Sequence, residues 1–268
     1  LKSLGIKKND EVLIPTVTFV GTANAIKHCD AIPHFIDTSL NSLGISVEAL
    51  DNYLKKIAIK KNKFLFNKKT KRRIFAIIPV HVFGHISKID DLVKISKKYN
   101  LKMVEDGAEA LGSFYKNKHA GTFGDLGIIS FNGNKIITTG GGGAILCNNN
   151  NLAKKIRHLV STAKKSHKWS FFHDRVAWNY RMPNINAAIG LAQMEKIKKI
   201  INLKYKITKK YKTFFKNNHE IQFIDQPKNC KSNFWLNTIR IKNLNISKRN
   251  KLLNILNYKD SMNCRPVW

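Results

Sequence analysis

The chain has 268 residues, 43% of them hydrophobic and 10% aromatic, so it can bury a sizeable core as one large domain with or without part of a second. It has no apolar run of the roughly 18 residues that a membrane span needs, and its first residues carry charges without the apolar stretch of a signal peptide. The formal net charge is +31, which would suit a nucleic-acid partner. The lysines are spread along the chain, however, and the densest basic stretch, 55–73, matches no recognition motif. We therefore favour lysines on solvated faces, whose field would attract small anionic ligands.

Short apolar runs typical of strands alternate with helix-like segments from the N-terminus onward. The first strand is predicted at 11–15 and is followed by a helix that begins near Thr18. The continuous apolar run at 74–78 indicates a strand that is buried on both faces. This βαβ rhythm predicts an α/β fold with a largely parallel sheet covered by helices. The other predicted strands are 31–36, 101–105, 127–131 and an antiparallel return at 144–147, and the other predicted helices are 47–57 and 88–99.

The pattern changes after about Asn186. Apolar spacing predicts a helix at 186–200 and a second helix, rich in Lys and Tyr, to about Phe215. The alternation at 234–241 predicts a strand. We place a domain boundary near 205, which gives a large domain at 1–205 and part of a smaller α+β domain at 206–268.

The four cysteines, Cys29, Cys147, Cys230 and Cys264, are scattered along the chain. They are not spaced as metal ligands and do not form a CxxC motif, so we predict no metal site. Isolated thiols fit a reducing compartment, which favours a cytoplasmic location.

A carboxylate pair, Glu105-Asp106, stands where a predicted buried strand ends. In open α/β sheets, ligands bind at the carboxyl ends of the strands. An Asp at this place can hold a protonated ring nitrogen of a cofactor by a charge-assisted hydrogen bond, although an Asp that only caps the next segment is an equally simple interpretation.

Lys135 follows the strand at 127–131 and precedes the run of four glycines at 140–143. A lysine in a site shared with a carbonyl cofactor can form an imine and later carry protons, and glycines allow the backbone to approach a ligand closely. A lysine after a strand is common in so basic a chain, so Lys135 by itself would be a weak candidate.

Several separated motifs, in this order, resemble the sugar aminotransferase family often called DegT/DnrJ/StrS, whose fold is that of aspartate aminotransferase (fold type I). The stretch 10–26 is similar to that family's first strand–helix unit, and 79–84 to its P-V-H-x-x-G segment. The stretch 105–109 is similar to its E-D-A-A motif, with Gly107 as a departure, and 179–188 to its N-Y-R block. The resemblance covers nearly the whole chain and implies a pyridoxal 5′-phosphate (PLP) enzyme.

The resemblance implies three roles around the cofactor ring. Lys135 would be the Schiff-base lysine and the general acid/base. Asp106 would hold the pyridine nitrogen, and Glu109 would lie near the O3′ side of the ring.

Three further contacts follow from the same resemblance. Phe19 would stack on one ring face, and Ser130 would donate to the phosphate. Asn179 would reach the phosphate of the neighbouring subunit's cofactor, since active sites of the family lie at a homodimer interface. Core packing, a strand-end turn and a loop amide are the respective structural alternatives, and His81 and the stretch 173–175 are weaker candidates for lining the cleft.

Details of the sequence point to one branch of the family. The run 131–143, with the segments 161–165 and 173–174, is similar to the legionaminic-acid-type branch. That branch aminates C4 of a UDP-4-keto-6-deoxy-N-acetylhexosamine with glutamate as donor, for surface-glycan biosynthesis. Both ends of the chain look truncated against the family, so we expect a fragment whose parent carries the activity.

Three other functions remain open at this point. A PLP sugar dehydratase would carry histidine in place of Lys135. A regulator that binds the cofactor without turnover would keep the same residues. A basic nucleic-acid-binding protein would rest on charge alone and predicts salt-sensitive binding.

Overall fold

A computed structural model describes residues 1–259 and 263–267. In chain order the strands are β1 (Glu11–Pro15), β2 (Ile32–Ile36), β3 (Ala58–Lys61), β4 (Phe64–Asn67), β5 (Arg73–Ile77), β6 (Lys102–Asp106), β7 (Phe114–Tyr115), β8 (Lys118–His119), β9 (Leu126–Ser130), β10 (Gly143–Leu146), β11 (Lys164–Lys165), β12 (Phe172–His173), β13 (Ile221–Phe223), β14 (Cys230–Lys231) and β15 (Ile239–Ile241). The α-helices are α1 (Val20–Lys27), α2 (Val47–Ile57), α3 (Ile89–Lys98), α4 (Asn150–Val160), α5 (Asn184–Phe215) and α6 (Ile246–Asn254).

The central sheet has the strand order β10-β9-β6-β5-β1-β2. Strands β2, β1, β5, β6 and β9 are parallel to their neighbours, and β10 returns antiparallel to β9, as the sequence predicts. The hairpin of β3 and β4, which the sequence reasoning did not identify, joins the sheet beside the start of β5. The carboxyl ends of the parallel strands therefore meet along one edge of the sheet.

Both faces of the sheet are covered, and the strands divide their side chains between two cores. Leu13 packs on one face with Leu50 of α2 and Leu92 of α3. Its neighbour Val12 packs on the other face with Ile26 of α1 and Ile156 of α4. This alternation within one continuous apolar run is what a strand buried between two helical layers requires, and it confirms the predicted α/β class.

Helix α5 differs from the prediction. The two helices predicted on either side of residue 200 are one continuous helix, Asn184–Phe215. No Gly or Pro interrupts the chain between 191 and 215, so nothing in this stretch breaks the helix. A boundary near 205 would lie inside α5, and the division into two domains stays a prediction; its last residues, 260–262 and 268, lie outside the described part of the chain.

The strand predicted at 234–241 is wrong in its first half. Only Ile239–Ile241 is a strand, paired with β13. Phe234 has a left-handed φ of 47°, and Phe234 and Trp235 are almost fully buried. Their alternating pattern reflects burial in an irregular segment rather than a pleated strand.

Within the described residues, none of the helices combines the length and the apolar character that crossing a membrane would take.

Candidate active site

Functional side chains collect at the edge where the parallel strands end. Phe19 follows β1, His81 follows β5, Asp106 ends β6 and Ser130 ends β9. Lys135 lies five residues beyond Ser130, in the loop that leads to β10. The order of strands thus places residues that are far apart in sequence at one edge.

Packing from several sides holds the loop that carries Lys135. Ile136 and Ile137 are buried in the apolar cluster with Val82. The loop also contacts the start of α5, where Asn186 Nδ2 donates to the carbonyl of Thr139 at 2.6 Å and the Thr138 amide donates to Gln193 Oε1 at 2.9 Å. The neighbouring Gly190 leaves room for Thr139, whose methyl group would be 2.8 Å from a Cβ at that position.

Glu109 is the carboxylate in contact with Lys135. Its Oε1 lies 3.7 Å from Lys135 Nζ, and the Lys135 side chain is only 13% exposed. Its Oε2 accepts a hydrogen bond of 2.7 Å from the Phe83 amide. Burial raises the pKa of Glu109 to about 7, against the opposing effects of the Phe83 hydrogen bond and Lys135. The carboxyl can therefore gain or lose a proton near neutral pH.

Asp106 is oriented by the helix that follows β1. Thr22 Oγ1 donates to Asp106 Oδ2 at 2.6 Å, and Thr22 in turn accepts a hydrogen bond of 2.9 Å from Thr18. Asp106 Oδ1 accepts from the Ala108 amide at 3.1 Å. Its charge also acts on Glu109, so Asp106, Glu109 and Lys135 form one electrostatic group.

Glu105, the other half of the acidic pair, has a structural role. It is fully buried and accepts hydrogen bonds from His81 Nε2 at 2.9 Å and from the amides of Gly121, Phe123 and Gly124 at 2.5–2.8 Å. Burial alone would raise the pKa of Glu105, but these hydrogen bonds, with that from His81 the strongest, lower it overall. His81 is 1% exposed and is bound to Glu105, and a role for it in lining the cleft stays a prediction.

Trp235 contacts Lys135 and is a neighbour of it that the sequence reasoning missed. Lys135 Nζ lies 3.9 Å from the centroid of its ring. The indole Nε1 donates to the Asn134 carbonyl at 2.7 Å. Asn233, two residues earlier, is fully buried and donates to the carbonyls of Glu109 and Leu111. The only sequence signal is a pair of polar residues, 232–233, directly before two large aromatic residues.

The remaining predicted residues have other settings. Phe19 directly precedes α1 and is 57% exposed. Ser130 accepts a hydrogen bond from the Asn132 amide at 3.2 Å. Asn179 is exposed, next to the backbone bridge that it makes with Ser161, and no hydrogen bond links its side chain to Lys135 in the described part of the chain. Their contacts with a cofactor stay predictions.

The residues present fit a PLP site. The donor set contains a carboxylate that can face a pyridine nitrogen, a partly buried primary amine and an aromatic ring at the rim. These groups converge at the carboxyl ends of a parallel sheet, where α/β enzymes bind ligands. Fold and site together define a fold-type-I PLP enzyme.

The chain belongs to the DegT/DnrJ/EryC1/StrS aminotransferase family, whose model matches residues 1–268. GDP-perosamine synthase of Escherichia coli O157:H7 is 37% identical over 268 residues, which are 100% of this chain and 68% of that protein. The putative pyridoxal phosphate-dependent aminotransferase EpsN of Bacillus subtilis is 34% identical over the same length, 66% of that protein. The chain therefore spans about two thirds of the length of these relatives.

A solved structure supports the same assignment. The DegT DnrJ EryC1 StrS aminotransferase from Brucella abortus superposes with a TM-score of 0.84 at 25% identity, over 97% of this chain and 65% of that one. The predictions of family, fold type I, enzyme class and PLP cofactor are confirmed. The legionaminic-acid-type branch stays a prediction.

Proposed function

We propose that this chain carries the catalytic part of an aminotransferase that moves an amino group from glutamate to a keto sugar nucleotide, with Lys135 as the Schiff-base lysine. The observation that carries the proposal is the convergence of Lys135, Glu109 and Asp106 at the carboxyl edge of the sheet, with Lys135 Nζ 3.7 Å from Glu109 Oε1. Other lysines are numerous, but Lys135 combines partial burial with a carboxylate partner at this edge.

Each residue has a distinct task in this proposal. Bound PLP supplies an electron sink for the carbon that loses its proton. Asp106, held by Thr22, would accept a hydrogen bond from the pyridine nitrogen. Lys135 takes a proton from one substrate carbon and returns it to another atom, acting as base and then as acid. Glu109, with a pKa of about 7, can hold or release a proton beside Lys135 Nζ.

Three peripheral residues complete the proposed cofactor site. Phe19 would stack on one face of the ring, Ser130 would donate to the phosphate, and Asn179 would reach the phosphate in a second subunit. The exposed side chain of Asn179 is compatible with a contact outside its own chain.

For the acceptor we propose a 4-keto sugar nucleotide aminated at C4, in surface-glycan biosynthesis. The sequence branch favours a UDP-4-keto-6-deoxy-N-acetylhexosamine, whereas the name of the Escherichia coli relative refers to a GDP sugar. Both are dianionic diphosphates that the net charge of +31 would attract. Substrate assays should therefore compare UDP and GDP sugars directly.

We also propose a cytoplasmic homodimer. Apolar side chains are exposed along the segment that leads into α5 and on its first turns, which is unfavourable in a lone subunit. These exposed residues are Trp169, Phe171, Phe172, Val176, Tyr180, Ile185 and Leu191. Analytical ultracentrifugation of the full-length protein measures the assembly directly.

Absorption spectroscopy with added PLP tests the central assignment. We expect wild-type protein to give an imine band that borohydride fixes, and peptide mass spectrometry to find the adduct on Lys135. Lys135→Ala should give no such adduct. Lys102→Ala is the matched control because Lys102 lies on the same strand as Asp106 but at the opposite edge of the sheet, and this variant should react like wild type.

Two further measurements distinguish the aminotransferase from a non-catalytic regulator and from a nucleic-acid-binding protein. Glutamate should bleach the band and release 2-oxoglutarate, whereas a non-catalytic regulator would keep the band unchanged. Salt-sensitive binding of DNA together with the absence of an adduct on Lys135 would contradict the aminotransferase proposal.

A further inference from the structure

Lys135 Nζ contacts two groups at once. It lies over the face of Trp235, 3.9 Å from the ring centroid, and 3.7 Å from Glu109 Oε1. Both groups attract a cation, the carboxylate by charge and the indole by the negative potential of its face. The Lys135 side chain is 13% exposed, so water screens these interactions only weakly.

The indole is itself fixed in place by hydrogen bonds. Its Nε1 donates to Asn134, the residue before Lys135, at 2.7 Å. The Trp235 amide donates to Asn233 Oδ1 at 2.8 Å, and its carbonyl accepts from Lys204 of α5 at 2.8 Å. Trp235 is 6% exposed. The backbone of Trp235 is thus held at its amide and carbonyl, and the Nε1 hydrogen bond sets the orientation of the buried ring toward the lysine.

The same segment also fixes the carboxylate side. Asn233 Nδ2 donates to the backbone carbonyl of Glu109 at 2.8 Å, two residues before the indole. Gly84, with φ of 89°, makes room for Asn233, since a Cβ there would lie 1.9 Å from Asn233 Oδ1. One short segment, 233–235, thus sets the spacing between the two groups that flank Lys135.

We propose that Trp235 is a positioning residue for Lys135, whose indole face holds the lysine ammonium beside Glu109 when the amine is protonated and not bound to the cofactor. In a transaminase, the displaced lysine must stay within reach of the substrate carbon in order to carry its proton. A cation–π contact retains the amine at a fixed place without a covalent bond. This inference rests on the proposed function of Lys135.

Chemical labelling in the absence of PLP tests the contact. Acetic anhydride acylates only the unprotonated amine, so a group that stabilises the ammonium slows the reaction. Quantitative peptide mass spectrometry of the full-length protein gives the acetylation rate at Lys135 separately from all other lysines. We expect Trp235→Leu to raise this rate about tenfold and Trp235→Phe, which keeps an aromatic face, to restore at least about half of the protection on a logarithmic scale.

Fluorinated tryptophan removes the uncertainty that a variant misfolds. Fluorination weakens the negative potential of the ring face while the sequence and approximate shape remain unchanged. Acetylation of Lys135 should increase stepwise with one, two and more fluorine atoms, whereas Lys102 should react at a constant rate. An unchanged rate at Lys135 in the fluorinated protein, or equal rates in the Leu and Phe variants, would overturn the proposal.

The reaction itself is the second readout. With PLP bound, glutamate-driven bleaching should slow in Trp235→Leu and recover in Trp235→Phe, while Phe214→Leu, at the exposed end of α5, should match wild type. Normal bleaching in Trp235→Leu would overturn the positioning role even if the contact exists. Absence of bleaching in wild type would instead count against the proposed function, and the labelling experiment would still decide the contact.

Discussion

His85 is completely buried against the segment that carries Trp235. Its Nδ1 lies 3.0 Å from Ser232 Oγ, and its ring packs edge-on against Phe234 with centroids 5.4 Å apart. Burial lowers the pKa of His85 to about 4. Two charges have smaller effects on this pKa: Asp225 raises it and Lys212 lowers it. The unfolded chain binds a proton at His85 near pH 6.5, so the folded state must exclude that proton.

The difference between the folded and the unfolded pKa of His85 makes the stability of the protein depend on pH. Between pH 6.5 and about 4 the unfolded chain binds the proton and the folded protein does not, so stability is present above pH 6.5 and is lost as the pH falls toward 4. At about 1.36 kcal/mol for each pH unit, the full loss is roughly 3 kcal/mol, and roughly 2–3 kcal/mol of it appears between pH 7 and pH 4.5.

Urea unfolding at about pH 7 and about pH 4.5 measures this contribution. We expect His85→Phe to lose roughly 2–3 kcal/mol less stability than wild type over this interval, whatever its stability at pH 7. His28 is exposed, and His28→Phe should keep the wild-type pH dependence. Equal pH dependence in wild type and His85→Phe would refute the reasoning, because another group would then cause the loss.

Two substitutions test the supports of the site. Glu105→Gln leaves several buried donors without a carboxylate acceptor, so urea unfolding should show that the variant is roughly 3–5 kcal/mol less stable than wild type. Glu48 is exposed, and Glu48→Gln should leave the stability unchanged. If Glu105→Gln were as stable as wild type, the structural role of Glu105 would be contradicted. Gly84→Ala combines a φ of 89° with a Cβ that would lie 1.9 Å from Asn233 Oδ1, so amide hydrogen exchange at 233–236 should accelerate at least about tenfold. Gly133→Ala, with nothing within 4 Å, is its control, and equal exchange in both variants would show that Gly84 does not set the position of Asn233.

The sheet was predictable because its strands are short and almost entirely apolar. The run at 74–78 and the strand β5 differ by one residue at each end, and 11–15 and β1 coincide. A strand that is covered by helices on both faces is a continuous apolar run, and such a run can be recognised from a few consecutive residues. By contrast, the sequence prediction divided α5 into two helices near residue 200, although no Gly or Pro between 191 and 215 breaks the helix there.

The site was predictable only where residues follow a strand. Asp106 ends β6 and Lys135 lies five residues after the end of β9, so the order of elements gives their edge of the sheet. Trp235 is about a hundred residues from Lys135 in sequence and belongs to a segment whose alternation resembles a strand. Its position depends on the left-handed Phe234 and on hydrogen bonds of the Asn233 side chain, which no local pattern reveals.

Helix α5 constrains how this protein can vary in evolution. Its 32 residues extend for about 48 Å. Asn186 and Gln193 hold the lysine loop near one end, and Lys204 and Thr208 bind the carbonyl of Trp235 and the side chain of Asn237 further along. One inserted residue between Gln193 and Lys204 would rotate one set of contacts by about 100° relative to the other. Homologues should therefore conserve the length of this interval to the residue, even where they change its exposed side chains.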